Sequence, residues 1–144
     1  MILFTIGFTK KSAEEFFGRL QTGKVVRVLD VRLNRSSQLS GFAKERDLVY
    51  FLRSIGSIDH LVLENLAPTA ELLDAYRSRT MTWDQYAVAY EELIAERQVE
   101  TSIPREILEG GCLLCSEHTA HKCHRRIAAE YLARHHEGLE IEHL

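Results

Sequence analysis

Three cysteines, two prolines and one tryptophan in 144 residues leave several classes of protein without support. An odd number of cysteines, all between Cys112 and Cys123, is not the evenly paired framework of a small secreted domain and fits a reduced compartment. No apolar run approaches the roughly 20 residues that a bilayer span requires. Met1–Phe8 also lacks a basic region ahead of a long apolar stretch. Neither a membrane segment nor a signal peptide is expected, and the expected location is cytoplasmic. Positive charge is not in excess: 18 basic and 21 acidic residues give a net charge of −3. That excludes a coat-type nucleic-acid binder while leaving room for a local anion pocket. Internal repeats and low-complexity segments are missing too.

What is present suits one globular domain spanning residues 1–144, with 45% hydrophobic and 27% charged residues, enough for a continuous core. Short apolar runs alternate with helical patterns. Ile2–Ile6 reads as a buried strand ending at Gly7. Ser12 and Glu15 then form a capping box ahead of Ala13, Phe16, Phe17 and Leu20 at helical spacing. Val25–Val31, Ile58–Leu63 and Cys112–Cys115 read as further strands, and Leu139–His143 as a closing one. Between them lie a helix carrying Leu48, Phe51, Leu52 and Ile55, a short helix to about Tyr76, and a long helix opened by a second capping box at Thr82 and Gln85. A last helix covers roughly Cys123–His135. Strands separated by helices imply crossovers. The expected architecture is a three-layer α/β fold: a mostly parallel, Rossmann-like sheet of about five strands, with helices on both faces and a switch point near the first strand.

In such a sheet, ligands bind outside the carboxyl ends of the strands. This directs attention to Gly7, to Asp30 with Arg32, to the segment after His60, and to Cys115 through Arg125. The last region is chemically the densest. Cys123 falls at the N-cap of the final helix, where unpaired N–H groups favour negative charge, and its neighbours are His124 and two arginines. Such surroundings suit a reactive thiol. Cys112 alternates within an apolar strand and is expected to be core. Cys115, His118, His121, Cys123 and His124 supply enough sulfur and nitrogen for zinc, but their spacing is unlike the paired patterns of zinc sites, so no metal ligand set is expected. Asp30 and Arg32 share one side of a strand end, as a ligand site or as a salt bridge tying down the loop. The Trp83–Tyr90 stripe is expected to be core rather than a ligand platform.

Several of these elements recur together in one order: Thr5-Ile6-Gly7, Asp30-Val31-Arg32, Phe42-x-Lys44, His60-Leu61, Leu66-Ala67-Pro68, Trp83-x-x-Tyr86-x-x-x-Tyr90, and Leu-Leu-Cys115-x-Glu117 followed, after five intervening residues, by Cys123-His124-Arg125. This order resembles the bacterial and archaeal domain family numbered 488 among the domains of unknown function. The resemblance implies a compact α/β fold and adds weight to Asp30, Arg32, Cys115, Glu117, Cys123, His124 and Arg125. It implies no settled reaction. Members often carry a proline a few residues after the Asp-x-Arg, where this chain has Asn34 and Arg35.

The functional expectation is a site for a small anionic ligand, phosphate-bearing, such as a nucleotide or a nucleic-acid end. Arg32 and Arg125 would clamp the anion, with Asp30 and Gly7 at neighbouring strand ends. Cys123 would be the nucleophile or redox thiol, His124 its proton partner, Cys115 a second thiol and Glu117 an acid or base. A thiol-dependent hydrolase or transferase fits this set. A non-catalytic module, with the Cys/His cluster as a metal clip or structural network, fits it as well. No cofactor, substrate or oligomeric state is named by these residues.

Overall fold

Runs of residues apolar on both sides can be buried only between two layers, and the computed structural model, which describes residues 1–36, 40–117 and 120–144, has this arrangement. Strands β1 (Ile2–Gly7), β2 (Arg27–Asp30), β3 (Asp59–Val62), β4 (Gly111–Cys115) and β5 (Glu140–His143) form one sheet. Its order is β3-β2-β4-β1-β5, and every neighbouring pair is parallel. Alternation within the strands sorts their side chains between two cores. Phe4, Ile6, Val28, Cys112 and Leu114 face α1 (Ala13–Thr22) and α2 (Glu45–Gly56), meeting Phe16, Leu20, Leu48 and Leu52. Leu3, Leu29, Leu113 and Cys115 face the opposite layer.

That second layer holds α3 (Ala70–Arg77), α4 (Trp83–Glu96), α5 (Val99–Ser102), α6 (Arg105–Leu108) and α7 (His124–His135). Tyr86, Tyr90, Ile94, Ile127, Ala128 and Leu132 fill its core. The expected three-layer parallel sheet of five strands is therefore present. Its order departs from the 3-2-1-4-5 arrangement of a Rossmann sheet, because β4 is inserted between β2 and β1. Phe4 pairs with Cys112 on one side, and Val28 pairs with the same residue on the other. The helices that follow β1 and β2 lie on one face, whereas the helix that follows β4 lies on the other. Loops thus part in opposite directions on both sides of β4, which opens a crevice at its carboxyl end.

Local chemistry fixes the helix starts. Ser12 accepts the Glu15 N–H at 3.1 Å. At α4, Thr82 Oγ1 accepts from the Gln85 N–H at 3.2 Å while Gln85 Oε1 accepts from the Thr82 N–H at 2.9 Å, so both bonds of the capping box are made. The two four-residue helices α5 and α6 are absent from the sequence pattern, since one turn carries no periodicity to read. Among the described residues no helix is long and apolar enough to cross a membrane.

Thr82→Ala removes one arm of the box at the start of the helix that walls the site. It should lower stability by about 1 kcal/mol, read as a shift in urea midpoint with an unchanged slope. An unchanged midpoint would mean that the α4 terminus does not depend on its cap.

Candidate functional site

The last residue of β4 and the first residues of α7 meet at the crevice. Cys115 ends β4, Cys123 caps α7, and His124 begins that helix. The two sulfurs and a ring nitrogen of His124 all lie within 4.8 Å of one another. The sulfurs touch as in a disulfide, between residues whose Cα atoms are 7.6 Å apart. Cys112, three residues earlier, points into the other core, where burial pushes its thiol far above the ordinary range. The separation of one core cysteine from two site cysteines matches the alternation of the strand.

His124 is held in one tautomer. Its Nε2 lies 2.9 Å from the carbonyl oxygen of Val31. A carbonyl only accepts, so Nε2 carries the hydrogen and Nδ1 presents a lone pair. Burial lowers the ring's pKa to about 4, the hydrogen bond to Val31 opposing the shift, so the imidazole is neutral at pH 7. Its edge packs on Tyr90, with ring centroids 5.4 Å apart, and Tyr90 in turn donates its hydroxyl to Leu66 O at 2.7 Å.

Arg125 does not reach into the crevice from its helix, as the ligand clamp would require. Its side chain is 2% exposed and turns inward. Nη1 donates to Glu117 O at 2.8 Å and to Cys115 Sγ at 3.3 Å, while Nε donates to Thr5 Oγ1 at 3.4 Å. Burial lowers its pKa to about 10, which leaves it cationic at neutral pH. Gly7 belongs to this contact. A Cβ there would stand 1.5 Å from Glu117 O and 2.7 Å from Arg125 Nη1, so glycine is required for the loop after β4 to close over β1. The geometry thus gives Gly7 and Arg125 positions behind the site, supporting Cys115.

At the end of β2, Asp30 is fully buried and Arg32 nearly so. Arg32 Nε and Nη2 grip the two carboxylate oxygens at 2.8 and 2.7 Å, and Nη1 donates to Ala43 O at 2.6 Å. His60 Nε2 meets Asp30 Oδ2 at 2.9 Å, and the guanidinium lies 5.6 Å from the centre of the Phe8 ring. Burial alone would raise the Asp30 carboxyl, but hydrogen bonds and charges from Arg32 and His60 outweigh it and hold it below its usual range. Asp30 is therefore an anchor for Arg32, and the salt bridge considered for this pair is formed.

Arg32, Cys115, Cys123 and His124 line a single cleft of about 230 Å³. Tyr76, Trp83 and Tyr86 line it too. Trp83 and Tyr86 are stacked, with centroids 5.5 Å apart and planes at 25°, and Tyr76 sits 5.0 Å from Tyr86. Within the stripe expected to be core, Tyr86 and Tyr90 are buried and Trp83 is half-buried against them, and both Trp83 and Tyr86 also line the cleft. Exposed Arg77, Glu117 and Lys122 are also among the lining residues.

The family model Domain of unknown function DUF488 matches residues 12–132. The chain belongs to the DUF488 family. No curated protein and no solved structure matches it. The DUF488 match runs from the cap of α1 into α7 and includes every lining residue of the cleft. It ends before β5, whose His143 nevertheless touches the same assembly through a 2.6 Å hydrogen bond with Thr5 Oγ1. Sequence reasoning had not paired His60 with Asp30; only the parallel register that sets His60 beside Val28 brings them together. His118, one of the donors considered for zinc, lies outside the described residues.

The buried pair at β2 makes a pH-dependent contribution to stability. A carboxyl held below its ordinary value of about 4 contributes fully above that value and loses its contribution as pH falls through the lower folded value. Asp30→Asn leaves Arg32 buried without its anion and should cost about 3 kcal/mol at pH 7. Urea midpoints measured from pH 7 downward should bring wild type and variant together as the wild-type carboxyl protonates. Parallel curves would remove Asp30 as the source of the acid sensitivity.

Proposed function

We propose that this domain binds a small anionic, phosphate-bearing ligand such as a nucleotide or a nucleic-acid end in the cleft, and acts on it through Cys115, Cys123 and His124. The observation that carries this reading is the convergence of two sulfurs, the His124 imidazole and cationic side chains on one aromatic-walled cleft at the carboxyl end of β4. Lys122 and Arg77 are the exposed cations of the cleft. Arg32 uses three of its five N–H groups within the protein, and the others are available to an anion. Cys123 makes no side-chain bond to the first turn of α7, so the positive end of that helix can serve the ligand. A planar base would stack on Trp83, a contact worth roughly 1–3 kcal/mol.

As reduced thiols, Cys115 and Cys123 are the nucleophilic atoms of the cleft. The charged N–H of Arg125 directed at Cys115 favours an anionic sulfur there, and His124 Nδ1 can accept a proton from a thiol or from water. Hydrolysis or group transfer at the ligand is the class of reaction this set supports. Glu117, exposed at the edge, is the carboxylate placed to assist.

Trp83 is the chain's single tryptophan and reports directly on the cleft. A nucleoside monophosphate should quench its fluorescence saturably, and inorganic phosphate should compete. Replacing both Arg77 and Lys122 by alanine should weaken binding about tenfold or more. A flat titration to about 10 mM, or equal affinity in the double variant, would end the anion reading.

A further inference from the structure

We propose that Cys115, Cys123 and His124 bind one divalent transition-metal ion of the zinc class, with the remaining coordination position directed into the cleft. This rests on the preceding identification of the cleft as the functional centre and goes beyond it, since the two sulfurs and His124 would then be metal ligands in place of the nucleophiles and proton acceptor named there. The three donor atoms lie within 4.8 Å of one another. Tetrahedral zinc, with bonds of about 2.3 Å to sulfur and 2.0–2.1 Å to nitrogen, places its ligand atoms roughly 3.5–3.8 Å apart. With the Cys115–Cys123 pair reduced, its sulfurs have to part from bonding contact to that spacing to share an ion. The backbone supports the same conclusion. Cα atoms 7.6 Å apart exceed the roughly 4.4–6.8 Å usual for directly bonded cysteines, whereas two sulfurs separated by an ion suit a longer span.

The surroundings are those of a metal centre as well. Metal-bound histidines commonly donate their other ring N–H to a backbone carbonyl, which fixes the tautomer. His124 does so through Nε2 to Val31 O, and it is the Nδ1 lone pair that remains. Arg125 Nη1 donates to Cys115 Sγ, as N–H groups do around metal-bound thiolates. Two thiolates neutralise a dication, so the buried guanidinium would face a neutral cluster rather than a second bare cation. Two sulfurs and one imidazole select a borderline or soft ion over magnesium, calcium or manganese. Among the described residues no fourth Cys, His, Asp or Glu joins the three. All three line the cleft, so the position left over is available to water or to an anionic ligand oxygen. The irregular sequence spacing concealed this set, because its members come from the end of a strand, a helix cap and the residue after that cap.

The test uses the full chain, expressed with zinc in the medium and desalted under non-chelating reducing conditions. Elemental analysis should find about one equivalent of zinc per chain. Cys115→Ser and Cys123→Ser should each lose most of it, while Cys112→Ser retains it in full. Cobalt replacing zinc should give a sulfur-to-metal charge-transfer band and the visible bands of a tetrahedral ion. This readout needs no variant, so a serine substitution that fails to fold does not obscure the result. Substoichiometric metal together with no charge-transfer band in reduced wild type would overturn the proposal, as would zinc undiminished in folded Cys123→Ser. Trp83 quenching by a nucleotide separates the two readings. Quenching without metal sinks the ion and leaves the anion cleft; a stoichiometric ion without quenching supports the ion and removes the anion ligand.

Discussion

Arg125 brings a positive charge into the gap between β1, β4 and the start of α7, where a carbonyl, a hydroxyl and a sulfur are its hydrogen-bond partners. Among the described residues no carboxylate lies within ion-pair distance of it. An uncompensated charge in a protein interior is costly, so everything that approaches this guanidinium is constrained to supply electron density. The Glu117 carbonyl is drawn in over Gly7, where any side chain would block it. The Cys115 sulfur is drawn in from the strand end. Thr5 shares its hydroxyl between Arg125 and His143, which extends the same constraint to the edge strand β5. The site therefore has its shape because a cation behind it must be solvated by the protein.

A second buried cation stands on the other side of β4. Arg32 comes from the end of β2 and is fixed by Asp30, His60 and the Ala43 carbonyl. Because β4 is inserted between β1 and β2, its terminal cysteine lies between these two guanidinium groups. Had β4 paired at the outside of β1, the β2 end and the α7 start would be separated by another strand. The strand order and the polar chemistry are thus parts of one arrangement: the order places the sulfurs, and the flanking charges define what they can be.

Features set by neighbours in sequence were readable from it. The capping box at Thr82 forms in full, Ser12 makes its own arm of the other box by accepting the Glu15 N–H, and strict alternation assigns Cys112 and Cys115 to opposite layers. The N-cap position of Cys123 and the inward face of His124 follow from helix geometry alone. Features set by pairing distant segments were not readable. Nothing local states that Val28 and Phe4 both neighbour Cys112, or that His60 falls beside Asp30. Arg125 was expected to clamp a ligand, and only its contacts with Glu117, Cys115 and Thr5, brought together by the sheet, turn it inward. Trp83 and Tyr86 share a stripe, yet their different burial depends on how α4 lies over the sheet.

Contacts at both ends fix the described part of the loop after β4. At one end the Ser116 and Glu117 carbonyls are held by the Thr9 and Arg125 donors; at the other, Cys123 is fixed as the cap of α7. The two sulfurs sit at these anchors, eight residues apart in sequence, and Ser116, Glu117 and Lys122 from the stretch between them line the cleft. The places of the two sulfurs are thus set by a strand end and a helix start, two regular elements positioned by the sheet.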